Sequence, residues 1–238
     1  MKLIGFPYAG GQAACYRDLA IRLPGVSLLC AELPGHGRRM RERLLTDCRS
    51  MLDDLWPRIR PALQPPYGLF GHSMGAMLAW LMARRIRAEQ MALPCALIVS
   101  ARQGPSLPDR QRRFALPDHA FVEQLLELGG CPPDLMAHPD VRNLFLPILR
   151  ADFQAVETWA YQPEPPLEVP IIALMGQGDA LRRDEILAWQ SETTCPLDVR
   201  SFPGGHFFLT AHWDDVAGLV RRALAVSPDS STLNRLES

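Results

Sequence analysis

The sequence predicts an α/β fold, with a mostly parallel sheet flanked by helices and a helical lid insertion. Short apolar runs alternate with longer segments of helical period, which is typical of a parallel sheet covered by helices on both faces. One long central stretch breaks the alternation and has a helical pattern only. At 238 residues the chain fits a single domain of this class.

Six apolar runs are candidate strands, and a glycine, a proline or polar residues follow each of them. They cover residues 3–6, 26–32, 67–70, 97–100, 171–175 and 197–202. Runs this short that end at such breaks indicate strands rather than buried helices.

Three segments between or after these strands have apolar residues at helical spacing. They cover residues 50–63, 74–86 and 214–224. The first has Asp47 just before it as a candidate N-cap, and Pro57 lies early enough to bend it.

The stretch 103–166 contains two helical patterns, 121–128 and 141–159, and the second is interrupted at Pro147. About 60 residues without a strand is far beyond a normal connection. Either the second pattern is an ordinary core helix, or the stretch is an insertion that caps one edge of the sheet. We predict a core of residues 1–102 and 167–226, a helical lid of residues 103–166, and a disordered tail of residues 227–238.

The composition excludes several classes of function. The net charge of −1 and the pI near 6.6 provide no field that would draw the chain to nucleic acid or to a membrane. Lys2 is the only lysine, so a phosphate loop that ends in Gly-Lys-Ser/Thr is excluded. Six scattered cysteines and no histidine cluster predict free thiols and no metal. We expect a soluble, cytoplasmic monomer.

The run Gly71-His72-Ser73-Met74-Gly75 lies between a predicted strand and a predicted helix. This is the context that a nucleophile elbow requires, in which a tight turn projects the serine hydroxyl above the sheet edge. The small residues on either side let the strand and helix backbones pass close together. Ser73 is therefore the predicted nucleophile.

A serine hydroxyl needs a base, and in this architecture the order along the chain is serine, acid, histidine. His206 follows two glycines directly after the last predicted strand, where its imidazole could swing over Ser73. His206 is the predicted base. His212 is the alternative, although it also fits the first turn of the final helix.

The base in turn needs an orienting carboxylate. Asp179 lies in the loop that follows the buried strand 171–175, and it is the predicted acid. Three other aspartates stay possible, each with a simpler explanation: insertion surface for Asp152, helix N-terminal charge for Asp184 and strand-end polarity for Asp198.

A tetrahedral oxyanion needs two backbone donors, and Met74 supplies one because it follows the nucleophile. The loop Phe6-Pro7-Tyr8-Ala9-Gly10-Gly11 follows the first strand, and its glycines allow N–H groups to turn inward. Ala9 or Tyr8 is the second predicted donor. The alternative is a simple Gly-Gly turn.

With these motifs in place, the chain resembles the type II thioesterases, which are stand-alone α/β-hydrolases that accompany nonribosomal peptide and polyketide synthases. Three further segments match that family: Leu33-Pro34-Gly35-His36-Gly37-Arg38-Arg39, Gly129-Gly130 and Leu146-Pro147-Ile148-Leu149-Arg150-Ala151-Asp152. There are two departures from the pattern. His36 stands where we expect Arg, and Ala101-Arg102-Gln103 stands where the family commonly has Gly-Arg; both bear on partner or substrate preference.

The resemblance implies a substrate in thioester linkage to the phosphopantetheine arm of an acyl or peptidyl carrier protein, with no cofactor of the enzyme's own. It implies removal of stalled or misprimed units. A general carboxylesterase or lipase, and a carrier-binding subunit without activity, are the alternatives. Arginine pairs at 38–39, 84–85 and 112–113 could meet an acidic carrier, although most are expected on solvated faces.

Overall fold

The computed structural model describes residues 1–130 and 138–225. Six strands form one sheet in the order β2-β1-β3-β4-β5-β6, and every neighbouring pair is parallel. Their bounds are β1 Lys2–Phe6, β2 Ser27–Cys30, β3 Tyr67–His72, β4 Ala96–Ser100, β5 Ile171–Gly176 and β6 Asp198–Phe202. All six predicted strands are confirmed, with ends that differ by at most two residues.

Helices follow or separate the strands; five of those in the described residues correspond to predicted segments, and two short ones, at 17–21 and 183–187, were not predicted. Their bounds are α1 Arg17–Ile21, α2 Cys48–Ile59, α3 Met74–Ala88, α4 Asp118–Leu128, α5 Pro139–Glu157, α6 Arg183–Leu187 and α7 Trp213–Ala225. The predicted cap of α2 is confirmed, because the Asp47 carboxylate accepts a hydrogen bond of 2.8 Å from the backbone N–H of Ser50.

The sheet has a core on each face. Alternate strand residues point to opposite sides, so Ile4 and Leu69 pack with helices α2 and α3, whereas Leu3 and Phe70 pack with α1 and α7. Parallel strands buried on both faces read as continuous apolar runs. This is why the strands could be predicted from the sequence.

The strand order places a crevice at the carboxyl ends of β1 and β3. The chain runs from β1 outward to β2, returns to β3, and then continues in the opposite direction to β4. The loops after β1 and β3 therefore diverge, and ligands of open α/β sheets bind at such a switch point. The predicted oxyanion loop and the predicted nucleophile both lie there.

The described residues between β4 and β5 form α4 and α5 and contribute no strand to the sheet. Helix α5 continues through Pro147, where the sequence predicted an interruption. Its C-terminal turns join the main core, since Ala155 and Val156 are buried there and the Ala155 carbonyl accepts a hydrogen bond from the Cys48 thiol. The middle of α5, at Leu146, Leu149 and Phe153, packs instead against α4 in a small separate cluster.

The boundaries assigned to the core and the lid stay predictions. The predicted tail 227–238 and Cys131 lie outside the described residues. Within residues 1–130 and 138–225, none of the helices has the length and apolar character needed to cross a membrane. The same residues contain no cluster of three metal-ligating side chains.

Candidate active site

Ser73 occupies the turn that joins β3 to α3. Its backbone has φ 54° and ψ −117°, a strained conformation that is unusual for a residue with a side chain. The Ser73 N–H donates to the Ser100 carbonyl at 2.8 Å, and the Ser73 carbonyl accepts from Ala76 at 3.0 Å. These bonds hold the turn between two strands and the first turn of the helix.

Two glycines make this turn possible. A side chain on Gly71 would strike the backbone of Gly75, and one on Gly75 would strike the carbonyl group of Phe6. Helix α3 therefore begins in direct contact with the end of β1. Since the positive end of the helix dipole lies at this point, negative charge that develops beside Ser73 is stabilised.

The loops after β5 and β6 bring Asp179 and His206 together. The His206 Nδ1 lies 2.9 Å from the Asp179 Oδ2, and both side chains are almost enclosed. Gly178 N–H donates to the Gly204 carbonyl at 2.8 Å, which ties the two loops to each other. Asp179 follows β5 and His206 follows β6, which are the two strand ends at which the sequence placed them.

The contact with Asp179 determines which nitrogen of His206 carries a proton. A ring nitrogen that faces a carboxylate must be the N–H, so Nε2 of the neutral ring keeps its lone pair. The His206 ring and Ser73 line the same two cavities, with no hydrogen bond between these two described residues. Catalytic hydrogen bonds are often long before substrate binds.

The predicted oxyanion donors surround the same point. Met74 opens helix α3, where backbone N–H groups have no acceptor within the helix. Ala9 lines both cavities at Ser73, whereas Tyr8 lines only one of them. The Gly11 N–H donates back to the Tyr8 carbonyl at 2.8 Å, so the loop is a tight turn.

The larger of the two cavities, the charged cleft, has a volume of about 830 Å³. Besides Ser73 and His206 it is lined by three ion pairs from the region after β4, α5 and α6: Arg102–Asp109, Arg110–Glu185 and Arg113–Glu157.

Polar groups in the wall of the charged cleft are incompletely bonded. The Arg102 Nε, the Arg113 Nε and the Asp152 Oδ1 are buried and make no hydrogen bond with the described residues. Burial raises the pKa of the Glu157 carboxyl, although the Phe114 N–H and the Arg113 charge act against the rise. The charged group of this cleft that a ligand can reach is the half-exposed Arg110.

The smaller cavity, the apolar pocket, has a volume of about 430 Å³. Helices α4 and α5 supply its wall through Leu125, Leu149 and Phe153. Phe153 also lines the charged cleft, so this side chain stands between the two cavities. The covering position expected for the helical insertion is thus occupied by α4 and α5.

His72 is a functional neighbour that sequence reasoning missed. Its ring is fully buried, donates or accepts through Nδ1 with the Ser100 hydroxyl at 2.9 Å, and lies 5.1 Å from the His206 ring between centroids. Burial, with a smaller contribution from His206, lowers the pKa of His72 well below its ordinary value. A neutral His72 ring therefore packs against the His206 ring. No pattern in the sequence indicates this contact.

The alternative base His212 and the alternative acids Asp184 and Asp198 line neither of the two cavities at Ser73. His212 bonds the Pro203 carbonyl at 3.0 Å just before α7. Asp184 is in the first turn of α6, and Asp198 begins β6, as their simpler explanations predicted. The interpretation of Asp152 as insertion surface was wrong, because this side chain is fully buried.

In each arginine pair, one member is held by an acid. Arg39 contacts Asp54, Arg84 contacts Glu164 and Arg113 contacts Glu157. Arg38 and Arg85 are also paired, with Glu32 and Asp53, so among the described residues Arg112 is the member of these pairs that contacts no acid.

The chain matches the thioesterase domain family over residues 1–224. It is 34% identical to a probable cadicidin biosynthesis thioesterase of Streptomyces griseus over 94% of this chain and 62% of that protein, and thus spans less than two thirds of that relative. It is 33% identical to the gramicidin S biosynthesis protein GrsT of Aneurinibacillus migulanus over 88% of this chain and 83% of GrsT. The type II thioesterase BorB from the borrelidin biosynthetic cluster superposes with a TM-score of 0.86 and 35% identity, over 94% of this chain and 92% of BorB. On these matches, the chain belongs to the thioesterase family.

Proposed function

We propose that this protein is a serine thioesterase that hydrolyses acyl and aminoacyl thioesters on the phosphopantetheine arm of carrier proteins. In this role it removes stalled or misprimed units during nonribosomal peptide or polyketide synthesis. The relatives named in antibiotic biosynthesis and the likeness to BorB support the substrate class. The pantetheine belongs to the substrate, so the enzyme needs no cofactor of its own.

One observation carries the proposal. The Asp179 carboxylate holds the Nδ1 side of His206, which leaves the basic Nε2 on a ring that shares two cavities with Ser73. Enzymes that transfer acyl groups through a serine nucleophile have a base oriented in this way beside a serine on a strained turn. Asp179 fixes the tautomer and stabilises the imidazolium without taking the proton.

In the first half of the reaction, His206 Nε2 takes the Ser73 hydroxyl proton while Oγ forms a bond to the thioester carbonyl carbon. The carbonyl electrons move to the oxygen, and the backbone N–H groups of Met74 and Ala9, or of Tyr8 in place of Ala9, stabilise the oxyanion. Collapse of this intermediate breaks the C–S bond. The proton on His206 goes to the departing pantetheine sulfur.

In the second half, His206 removes a proton from water, and the resulting oxygen attacks the acyl-Ser73 carbonyl. The second tetrahedral oxyanion uses the same donors. When the bond to Ser73 Oγ breaks, His206 returns the proton to the serine and the free acid leaves. Atoms and charge balance over the cycle, because one water is consumed and one thiol and one acid are produced.

The two cavities separate acyl groups by polarity. Burying an alkyl chain among the ion pairs of the charged cleft would strip polar groups of hydration without compensation. Polar and aminoacyl groups therefore occupy the charged cleft, and alkyl chains occupy the apolar pocket. Helices α4 and α5 act as the lid that controls access to both.

The test compares the hydrolysis of one acyl group on a carrier protein and on a soluble oxoester. We expect a higher kcat/KM on the carrier thioester, and Ser73→Ala should lose both activities. A preference for the oxoester would favour a general carboxylesterase. Unchanged product output by Ser73→Ala in a reconstituted pathway would favour a binding subunit without activity.

A further inference from the structure

Behind the oxyanion loop, three distant segments meet at one buried carboxylate. The Asp152 Oδ2, on helix α5, accepts a hydrogen bond of 2.7 Å from the Gly10 N–H and lies 2.9 Å from the His36 Nε2. The side chains of Asp152 and His36 are 0% and 3% exposed. Helix α5, the loop after β2 and the oxyanion loop are therefore joined away from solvent.

The surroundings of His36 determine its charge. Its Nε2 faces the Asp152 carboxylate, and its Nδ1 lies 3.0 Å from the Pro34 carbonyl oxygen. Both partners are acceptors, whereas a neutral imidazole has only one N–H. In the neutral form one nitrogen would present a lone pair to an oxygen, so the geometry fits the imidazolium.

The other charged groups near His36 also favour its protonated form. Burial opposes the charge, but the hydrogen bond and charge of Asp152, the Pro34 carbonyl and the charge of Glu32 outweigh it, so the pKa of His36 is raised. Glu32 lies on the same loop, where its carboxylate also pairs with Arg38 at 3.2 Å. From helix α5 the charged group that faces His36 is Asp152, and the oxyanion loop contributes no acid or base except Tyr8.

Gly10 connects the contact between His36 and Asp152 to the oxyanion loop. It has φ +74°, and a side chain on it would strike Leu149, one turn before Asp152 on α5. The loop is thus pressed against α5 and bonded to it at the residue that follows Ala9. A shift of Gly10 would turn the Ala9 N–H away from the oxyanion.

We propose that His36 and Asp152 form a buried imidazolium–carboxylate pair that holds the oxyanion loop against the lid helix. Both are positioning residues, and they act through Gly10 on the loop that carries the second oxyanion donor, Ala9 or Tyr8. This inference rests on the proposed function for its kinetic consequence only. The ionic state of the pair can be measured without any activity.

The sign of the pH dependence follows from the raised pKa. The pair is intact at low pH, and it is lost as the pH rises through the raised pKa of His36. The kcat profile should therefore have an alkaline limb for which His36 is responsible.

The kinetic test uses His36→Arg, His36→Gln and Asp152→Asn. Arginine keeps a permanent positive charge, so His36→Arg should retain kcat and lose the alkaline limb. His36→Gln and Asp152→Asn should lower kcat by about 10- to 100-fold with a smaller change in KM, because the oxyanion contact is misplaced rather than removed. An unchanged kcat in His36→Gln, or an alkaline limb that persists in His36→Arg, would overturn the proposal.

The second measurement is independent of catalysis and of the stability of any variant. Long-range ¹H–¹⁵N correlation spectra of the native protein with labelled histidine report the protonation of each ring nitrogen. We expect both His36 nitrogens to be protonated up to a midpoint above the ordinary value of about 6.5. A midpoint at or below that value refutes the pair, whereas inactivity of the native enzyme on thioesters would refute only the proposed function.

Discussion

The charged cleft and the apolar pocket differ in chemistry although they meet at the same nucleophile. The charged cleft is bounded by three ion pairs and by buried polar atoms that make no hydrogen bond within residues 1–130 and 138–225, whereas the apolar pocket is bounded by leucine and phenylalanine side chains from α4 and α5. The core strands supply Ser73, and the helical insertion supplies much of both walls. If the proposed function holds, the reaction and the choice of acyl group depend on separate parts of the chain.

The largest effect is expected where the two cavities coincide. Ser73→Ala removes the nucleophile that serves both, so kcat should fall by about 10⁴- to 10⁶-fold for polar and alkyl thioesters alike. Steady-state hydrolysis of both substrates checks this, with the exposed Ser27→Ala as the control. A loss confined to one acyl class would show that the cavities do not share this residue.

The next effect concerns the acid that both classes of substrate also share. Asp179→Asn should lower kcat by about 10³- to 10⁴-fold, because an amide can favour the wrong tautomer of His206. Asp184→Asn changes an exposed acid on the neighbouring helix α6 and should leave kcat unchanged. Equal effects of the two substitutions would contradict the role given to Asp179.

A smaller and selective effect is expected in the apolar pocket. Leu125→Phe fills space lined by α4 and should lower kcat/KM for a hexanoyl thioester by about 10-fold, while acetyl hydrolysis changes little. Leu144→Phe, at an exposed position of α5, is the matched control. If acetyl and hexanoyl rates fall together, the alkyl chain does not occupy this pocket.

The smallest effect should come from the outer part of the charged cleft. Arg110 is half exposed, so Arg110→Ala should reduce kcat/KM for an aminoacyl or hydroxyacyl thioester by about 3-fold and leave alkyl substrates unaffected. Arg112 is exposed and does not line the cleft, and Arg112→Ala controls for the loss of a nearby charge. Competition between a polar and an alkyl thioester in one reaction measures the ratio of their kcat/KM values precisely enough to detect a change of about 3-fold.

The two regions also differ in how much the sequence revealed. The core strands were predictable since buried parallel strands are short, apolar and bounded by breaks. The elbow and the loops with Asp179 and His206 followed from their positions at strand ends. Helix α5 was less predictable, because Pro147 indicates an interruption that packing on both sides overrides.

Contacts between distant residues could not be predicted. Asp152 and His36 are 116 positions apart, and neither lies in a pattern that predicts burial. An aspartate on an amphipathic helix is normally exposed, and only the approach of Gly10 and His36 makes its burial favourable. The expectation that His36 bears on partner or substrate preference stays a prediction, and the burial of its ring beside Asp152 was not foreseen. His72 was similarly hidden, since its role depends on how the loop after β6 folds back.

Rapid quenching of the native enzyme with an acyl-loaded carrier protein, followed by intact-mass and peptide analysis, tests the central claim most directly. The account predicts a transient mass increase equal to the acyl group, located on the peptide that contains Ser73 and absent from Ser73→Ala. A mass increase on another residue, or thioester hydrolysis by Ser73→Ala at the native rate, would contradict it.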